Sequence, residues 1–262
     1  KEKKWNIYKN FLLVRGGGNS VAPAHSFEDL FKIFVSGQAV RLGFTLAEVL
    51  VTLGIIGVVS AMTVPSLMQN HQRKTYVTQL HKFYNELSQA LTQYQTDNNA
   101  VNLKEAGLNS QDSANNFIKK YFKIAVECDK SGLPCFAETY KKMNGLELNI
   151  ENGANGLYTL ASGQSIRVSY TSGAYTYLVS IIVDVNGKQG PNIQGRDFFE
   201  IFIYNTNSGW FIDDLNPEAS AVSPLSDDDR ETQFTTYCLA GGIDNYHGCF
   251  GKILNDNWEM TY

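Results

Sequence analysis

The stretch FTLAEVLVTLGIIGVVSAMTVPSLM, residues 44–68, carries a single ionisable side chain, Glu48, in about 25 positions. A helix needs roughly 20 apolar residues to cross a hydrocarbon core, so this run is long enough to span one. It also exceeds the 7 to 15 apolar residues, roughly, of a secretory signal. Beyond Gln69 the pattern becomes amphipathic: Tyr76, Leu80, Phe83, Leu87, Leu91 and Tyr94 recur at three- and four-residue steps, with Lys74, Lys82, Glu86 and Gln89 between them. One helix is therefore expected to run from a membrane-compatible half, 44–68, into an amphipathic half, 69–98. Asp97, Asn98 and Asn99 break it. At 1.5 Å per residue such a rod extends roughly 80 Å.

Residues 1–43 are mixed in character, with Lys1, Lys3 and Lys4 at the start and a Gly16-Gly17-Gly18 run. No strand precedes those glycines and no Lys-Ser/Thr follows, so a linker reading prevails over a phosphate loop. The segment reads as a leader outside the fold.

Residues 99–262 form a head with enough apolar residues for a core. The whole chain is 43% hydrophobic and 18% charged. A helix is expected near Ser113 to Val126, capped by Ser113 or Asp112. Strand-like runs follow at Leu157 to Ala161, Gln164 to Tyr170, Tyr175 to Val185, Phe198 to Asn205 and Trp210 to Ile212. Ser162-Gly163 and Asn207-Ser208-Gly209 read as hairpin turns, which implies an antiparallel sheet packed on the amphipathic half-helix. For Asp227-Asp228-Asp229 two readings stand, the acidic start of a helix toward Cys238 or a solvated loop.

Four cysteines form two local pairs, Cys128 with Cys135 and Cys238 with Cys249. In an exported protein they read as two disulfide loops; the short spacers of a four-cysteine zinc site are missing. The net charge of −4 argues against a surface devoted to nucleic acid. His25, His71, His81 and His247 are scattered, and no hydrolase or metalloprotease motif occurs, so no catalytic set and no cofactor is expected.

The string Gly43-Phe44-Thr45-Leu46-Ala47-Glu48, with Arg41 just ahead of it, resembles the processing site of type IV pilins and type II secretion pseudopilins. Gly57 and Pro65 fall where many members of that family carry Gly and Pro. Val183-Asp184-Val185-Asn186-Gly187, Gly190-Pro191-Asn192, Gly195-Arg196-Asp197 and the segment from Cys249 to Tyr262 are similar to pieces of pilin-like heads. The stretch ahead of Gly43 is longer than the family's usual leader.

The resemblance implies a pilin-like α+β fold and a bacterial inner-membrane precursor that spans the bilayer once. It implies cleavage after Gly43 by prepilin peptidase and N-methylation of Phe44. The inner-membrane assembly machinery would then build homologous subunits into a periplasmic pseudopilus or a surface pilus. Alternatives from other classes are a minor or tip pilin that binds DNA or a surface through Lys119, Lys120, Lys123, Lys141 and Lys142, and a single-pass anchored ligand-binding protein.

Within the apolar run a charged Glu48 costs about 2.5 to 3.5 kcal/mol at a helix centre, so it calls for a partner. The resemblance implies the amino group of Phe44 on a neighbouring subunit; physics alone equally allows a place at the membrane surface, interacting with the helix dipole. Gly54 and Gly57, with Ser60 and Ala61, make a small-residue strip for close helix approach, and Pro65 is expected to kink or locally melt the helix. Ordinary tolerance of Gly and Pro in membrane helices accounts for the same residues. Asp184, Asn186 and Asp197 suggest oxygen ligands for calcium, but the loop lacks the closing glutamate of an EF-hand, and a structural turn is favoured.

Overall fold

A computed structural model describes residues 44–148, 150, 156–172, 177–216, 223–240 and 246–262; the leader expected over 1–43, Gly43 included, lies outside them. Contacts divide the chain into two units, Lys1–Ser60 and Ala61–Tyr262. The described part of the first is the start of helix α1, Leu46–Asp97, whose 52 residues continue into the second. The helix passes Pro65 without interruption.

Every residue from Phe44 to Gln72 is exposed. The amphipathic half behaves differently. Val77, Leu80, Phe83, Leu87, Ala90 and Leu91 are buried, as their three- and four-residue spacing dictates. Each large side chain among them contributes about 1.5 to 3 kcal/mol of burial.

Helix α2 spans Gln111–Tyr121, earlier than expected. Its cap is Ser110, which together with Ser113 forms a reciprocal capping box, and the chain beyond Phe122 turns into strand β1, Ile124–Cys128. β2, Tyr140–Lys141, pairs with β3, Glu147–Leu148. The main sheet continues with β4, Gly156–Leu160; β5, Ser165–Tyr170; β6, Tyr177–Asp184; β7, Phe198–Thr206; and β8, Gly209–Asp213. Its order is β1-β4-β5-β6-β7-β8, with antiparallel pairs throughout. Gly163 and Gly209, at φ +91° and +156°, turn the hairpins expected from sequence.

One sheet face, with Ile166, Val168, Ile181, Val183, Ile201 and Ile203, packs into the same core as the buried side of α1. The other face buries Leu157, Ile182 and Phe198 under Phe136, Tyr140 and Leu148. It also carries a row of polar side chains, taken up below.

The acidic run does open a helix: α3, Asp227–Gln233, is capped by Ser226 and runs on as a π-helical turn, Phe234–Leu239. A further helix, α4, Cys249–Asn255, was not foreseen.

Candidate functional site

Thr45 and Glu48 close a capping box at the start of α1. The Thr45 amide and hydroxyl both donate to Glu48 Oε2, at 2.8 and 2.9 Å, while the Glu48 amide donates to Thr45 Oγ1 at 3.2 Å. The acid thereby satisfies an otherwise orphaned donor beside the positive end of the helix. The pattern Thr-x-x-Glu ahead of an apolar run signals this box in the sequence.

At Gly54 and Gly57 an added methyl group would meet nothing within 4 Å. Glycine inside a helix costs about 0.5 to 1 kcal/mol relative to alanine. Packing within the described residues therefore does not account for either glycine.

In the head, Asp197 accepts from the amides of Asn192 and Ile193 at 2.8 and 2.7 Å. Asp184 accepts from the Tyr140 hydroxyl at 2.5 Å and the Asn186 amide at 3.3 Å. Both carboxylates thus organise the turn between β6 and β7. Burial pushes Asp184 up to about 8 and also raises Asp197. Tyr140 is raised too, first by burial and then by the Asp184 charge. Among the described residues no three His, Cys, Asp or Glu side chains stand together as a metal set.

A second acidic knot escaped the sequence reading. Asp213, fully buried, receives Arg230 through a fork, Nε to Oδ1 at 2.9 Å and Nη2 to Oδ2 at 2.8 Å. Its neighbour Asp214 accepts from the amides of Leu215, Gly248 and Gly251 at 2.7 to 2.8 Å and so anchors α4. Burial pushes Asp214 up to about 6 against the pull of those donors. Two adjacent acids at the end of an apolar strand were the available signal.

On the same polar sheet face Glu200 lies in register with Ile182, which in turn pairs with Arg167. Burial pushes Glu200 up to about 7, opposed by the Arg167 charge. His247 is buried against Tyr237, ring centroids 4.4 Å apart, and burial lowers it to about 4.

Cys128 and Cys135 stand at a disulfide distance of 2.10 Å, and Cys238 and Cys249 at 2.00 Å. Lys142 is buried, Lys119 pairs with Glu127 at 2.7 Å, and Lys120 pairs with Asp97 at 3.0 Å.

The chain is α+β, with a helix long and apolar enough to cross a membrane and a six-stranded antiparallel sheet. Compared with protein-family models, curated proteins and solved structures, it matches none.

Proposed function

We propose that the chain is a structural subunit of a type IV pilus or type II secretion pseudopilus. In this reading prepilin peptidase cuts after Gly43, Phe44 is methylated, and residues 44–68 pass from the inner membrane into the core of a polymer of homologous subunits. One observation carries the proposal: the apolar half of α1 buries nothing, with Leu50 and Ile56 each 60% exposed, while the same helix buries Leu80, Phe83 and Leu87 completely. Such a surface requires lipid or other apolar helices around it, and a polymer of like helices replaces the first with the second. The sheet packed on the amphipathic half and the small residues Gly54 and Gly57 support a pilin-like layout.

The test is expression of the full chain together with a pilus or pseudopilus assembly machinery, followed by electron microscopy of the sheared surface and periplasmic fractions. Filaments containing the chain are expected. A chain that stays wholly in the membrane fraction contradicts the proposal and favours the anchored ligand-binding alternative.

A further inference from the structure

Beyond Met68, still on α1, the residues Arg73, Lys74, Val77 and His81 share one face and form one wall of a cleft of about 560 Å³. The facing wall is the segment Trp258 to Met260. Trp258 lies flat on His81, with ring centroids 4.0 Å apart, and edge-on to Tyr84. Asn257 and Trp258 hold left-handed backbone at φ +51° and +62°, a conformation that costs a residue with a side chain roughly 1 to 2 kcal/mol. The indole thus lines the cleft beside His81.

Among the described residues no ion pair engages Arg73 or Lys74, and the Arg73 Nε is buried without a hydrogen-bond partner. A small adjoining cavity, also lined by Arg73, adds Arg196. Against these stands Glu259, the acidic side chain on the cleft wall.

Depth decides which anion fits. At 1.5 Å per residue Arg73 and Lys74 lie about 7 to 9 Å along the helix past Met68. The headgroup layer extends roughly 5 to 7 Å beyond each edge of the hydrocarbon core. With residues 44–68 in a bilayer, the two backbone positions stand at the outer edge of that layer, and their long side chains, tilted toward the helix N-terminus, bring both cations back to the level of lipid phosphates. Leu67 and Met68, 72% and 58% exposed, continue the lipid-compatible surface up to the mouth of the cleft.

We infer that this cleft binds the headgroup of an anionic phospholipid, with its phosphate on Arg73 and Lys74 and its acyl chains along Leu67 and Met68. The site holds the unassembled subunit at a fixed depth and makes its retention depend on lipid charge. The inference rests on residues 44–68 lying in a bilayer and is independent of polymerisation, so failure to form filaments leaves it standing.

Full-length chain in neutral detergent is titrated with short-chain phosphatidylglycerol, short-chain phosphatidylcholine or inorganic phosphate, and followed by native mass spectrometry and thermal melting. Phosphatidylglycerol is expected to bind saturably, at least tenfold more tightly than phosphatidylcholine, and to raise the melting temperature. The Arg73→Gln/Lys74→Gln variant loses that preference, whereas Lys119→Gln/Lys123→Gln keeps it. Should the first variant fail to fold, Lys74→Glu alone, at an exposed position, is expected to weaken phosphatidylglycerol binding severalfold. Equal binding of both lipids, or a preference that survives these substitutions, overturns the inference. So does inorganic phosphate that stabilises the chain as well as phosphatidylglycerol, which marks a site for free anions.

Discussion

A single carboxylate oxygen of Glu48 takes both protons that Thr45 has to offer, from its amide at 2.8 Å and its hydroxyl at 2.9 Å. The acid in the apolar run is therefore satisfied within its own chain by the exposed helix end. Assembly, in the proposed function, replaces that local cap with the amino group of a neighbouring Phe44. Glu48→Ala removes the buried-charge cost from the membrane form and the ion pair from the polymer. The variant is expected to insert into membranes normally while filament yield, measured in sheared fractions, falls more than tenfold. Filaments at the normal yield would show that Glu48 serves the helix end alone.

The two halves of α1 should respond unequally to truncation. Leu87 is fully buried and Leu53 is 60% exposed. Leu87→Ala is expected to destabilise the head by about 2 to 5 kcal/mol. Leu53→Ala in the unassembled chain should stay within about 0.5 kcal/mol. Chemical denaturation of both variants in neutral detergent measures the contrast, and equal losses would contradict the division.

The buried acids make the head's stability fall with rising pH. Burial raises Asp184 to about 8 and Glu200 to about 7, both above the range of an exposed carboxyl. Between the unfolded and folded values the native state holds more protons than the unfolded chain. The stabilisation is thus fully present below about pH 4 and is lost as pH rises through 7 to 8. Each kcal/mol lost lowers the melting temperature by about 2 to 4 °C in a domain of this size. Melting should drop by several degrees between pH 5.5 and 9, and Asp184→Asn should flatten that slope. A profile that rises over this interval, or one unchanged by Asp184→Asn, would refute the assignment.

The cysteine pairs should differ in worth. Cys238 and Cys249 are fully buried beside Gly195, where an added methyl would lie 2.9 Å from the Cys249 sulfur, whereas Cys128 is only half-buried. Closing a short loop is worth about 2 to 4 kcal/mol for either pair. The Cys238→Ser/Cys249→Ser variant additionally places two hydroxyls in the core and is expected to lower the melting temperature more than Cys128→Ser/Cys135→Ser. The reverse order in a thermal melt would contradict the packing described.

The parts legible in sequence were those governed by local rules. Helical periodicity from Tyr76 to Tyr94 marked the buried stripe of α1, and Gly163 and Gly209 marked hairpins between strands of high β propensity. The start of α2 slipped by a few residues because Ser110 and Ser113 share one capping box, and either serine alone resembles a cap. Features set by distant contacts were not legible. α4 starts on Gly248 in left-handed conformation, and its first amides are satisfied by Asp214, far earlier in the chain. Arg167 and Glu200 are buried on a sheet face that an antiparallel pattern would leave to water, and His247, in the segment before α4, is buried against Phe202 on that face. At the candidate assembly site Glu48 was legible because an acid stands out among apolar residues, but its Thr45 partner was overlooked.

The central claim, that Phe44 is the processed start of a helix destined for a polymer, is tested most directly by intact and peptide mass spectrometry of the chain isolated from cells that carry a prepilin peptidase. The account predicts a mature protein beginning at Phe44, its amino group one methyl heavier than unmodified phenylalanine. A mature protein that retains residues 1–43, or one cut elsewhere with an unmethylated end, would contradict it.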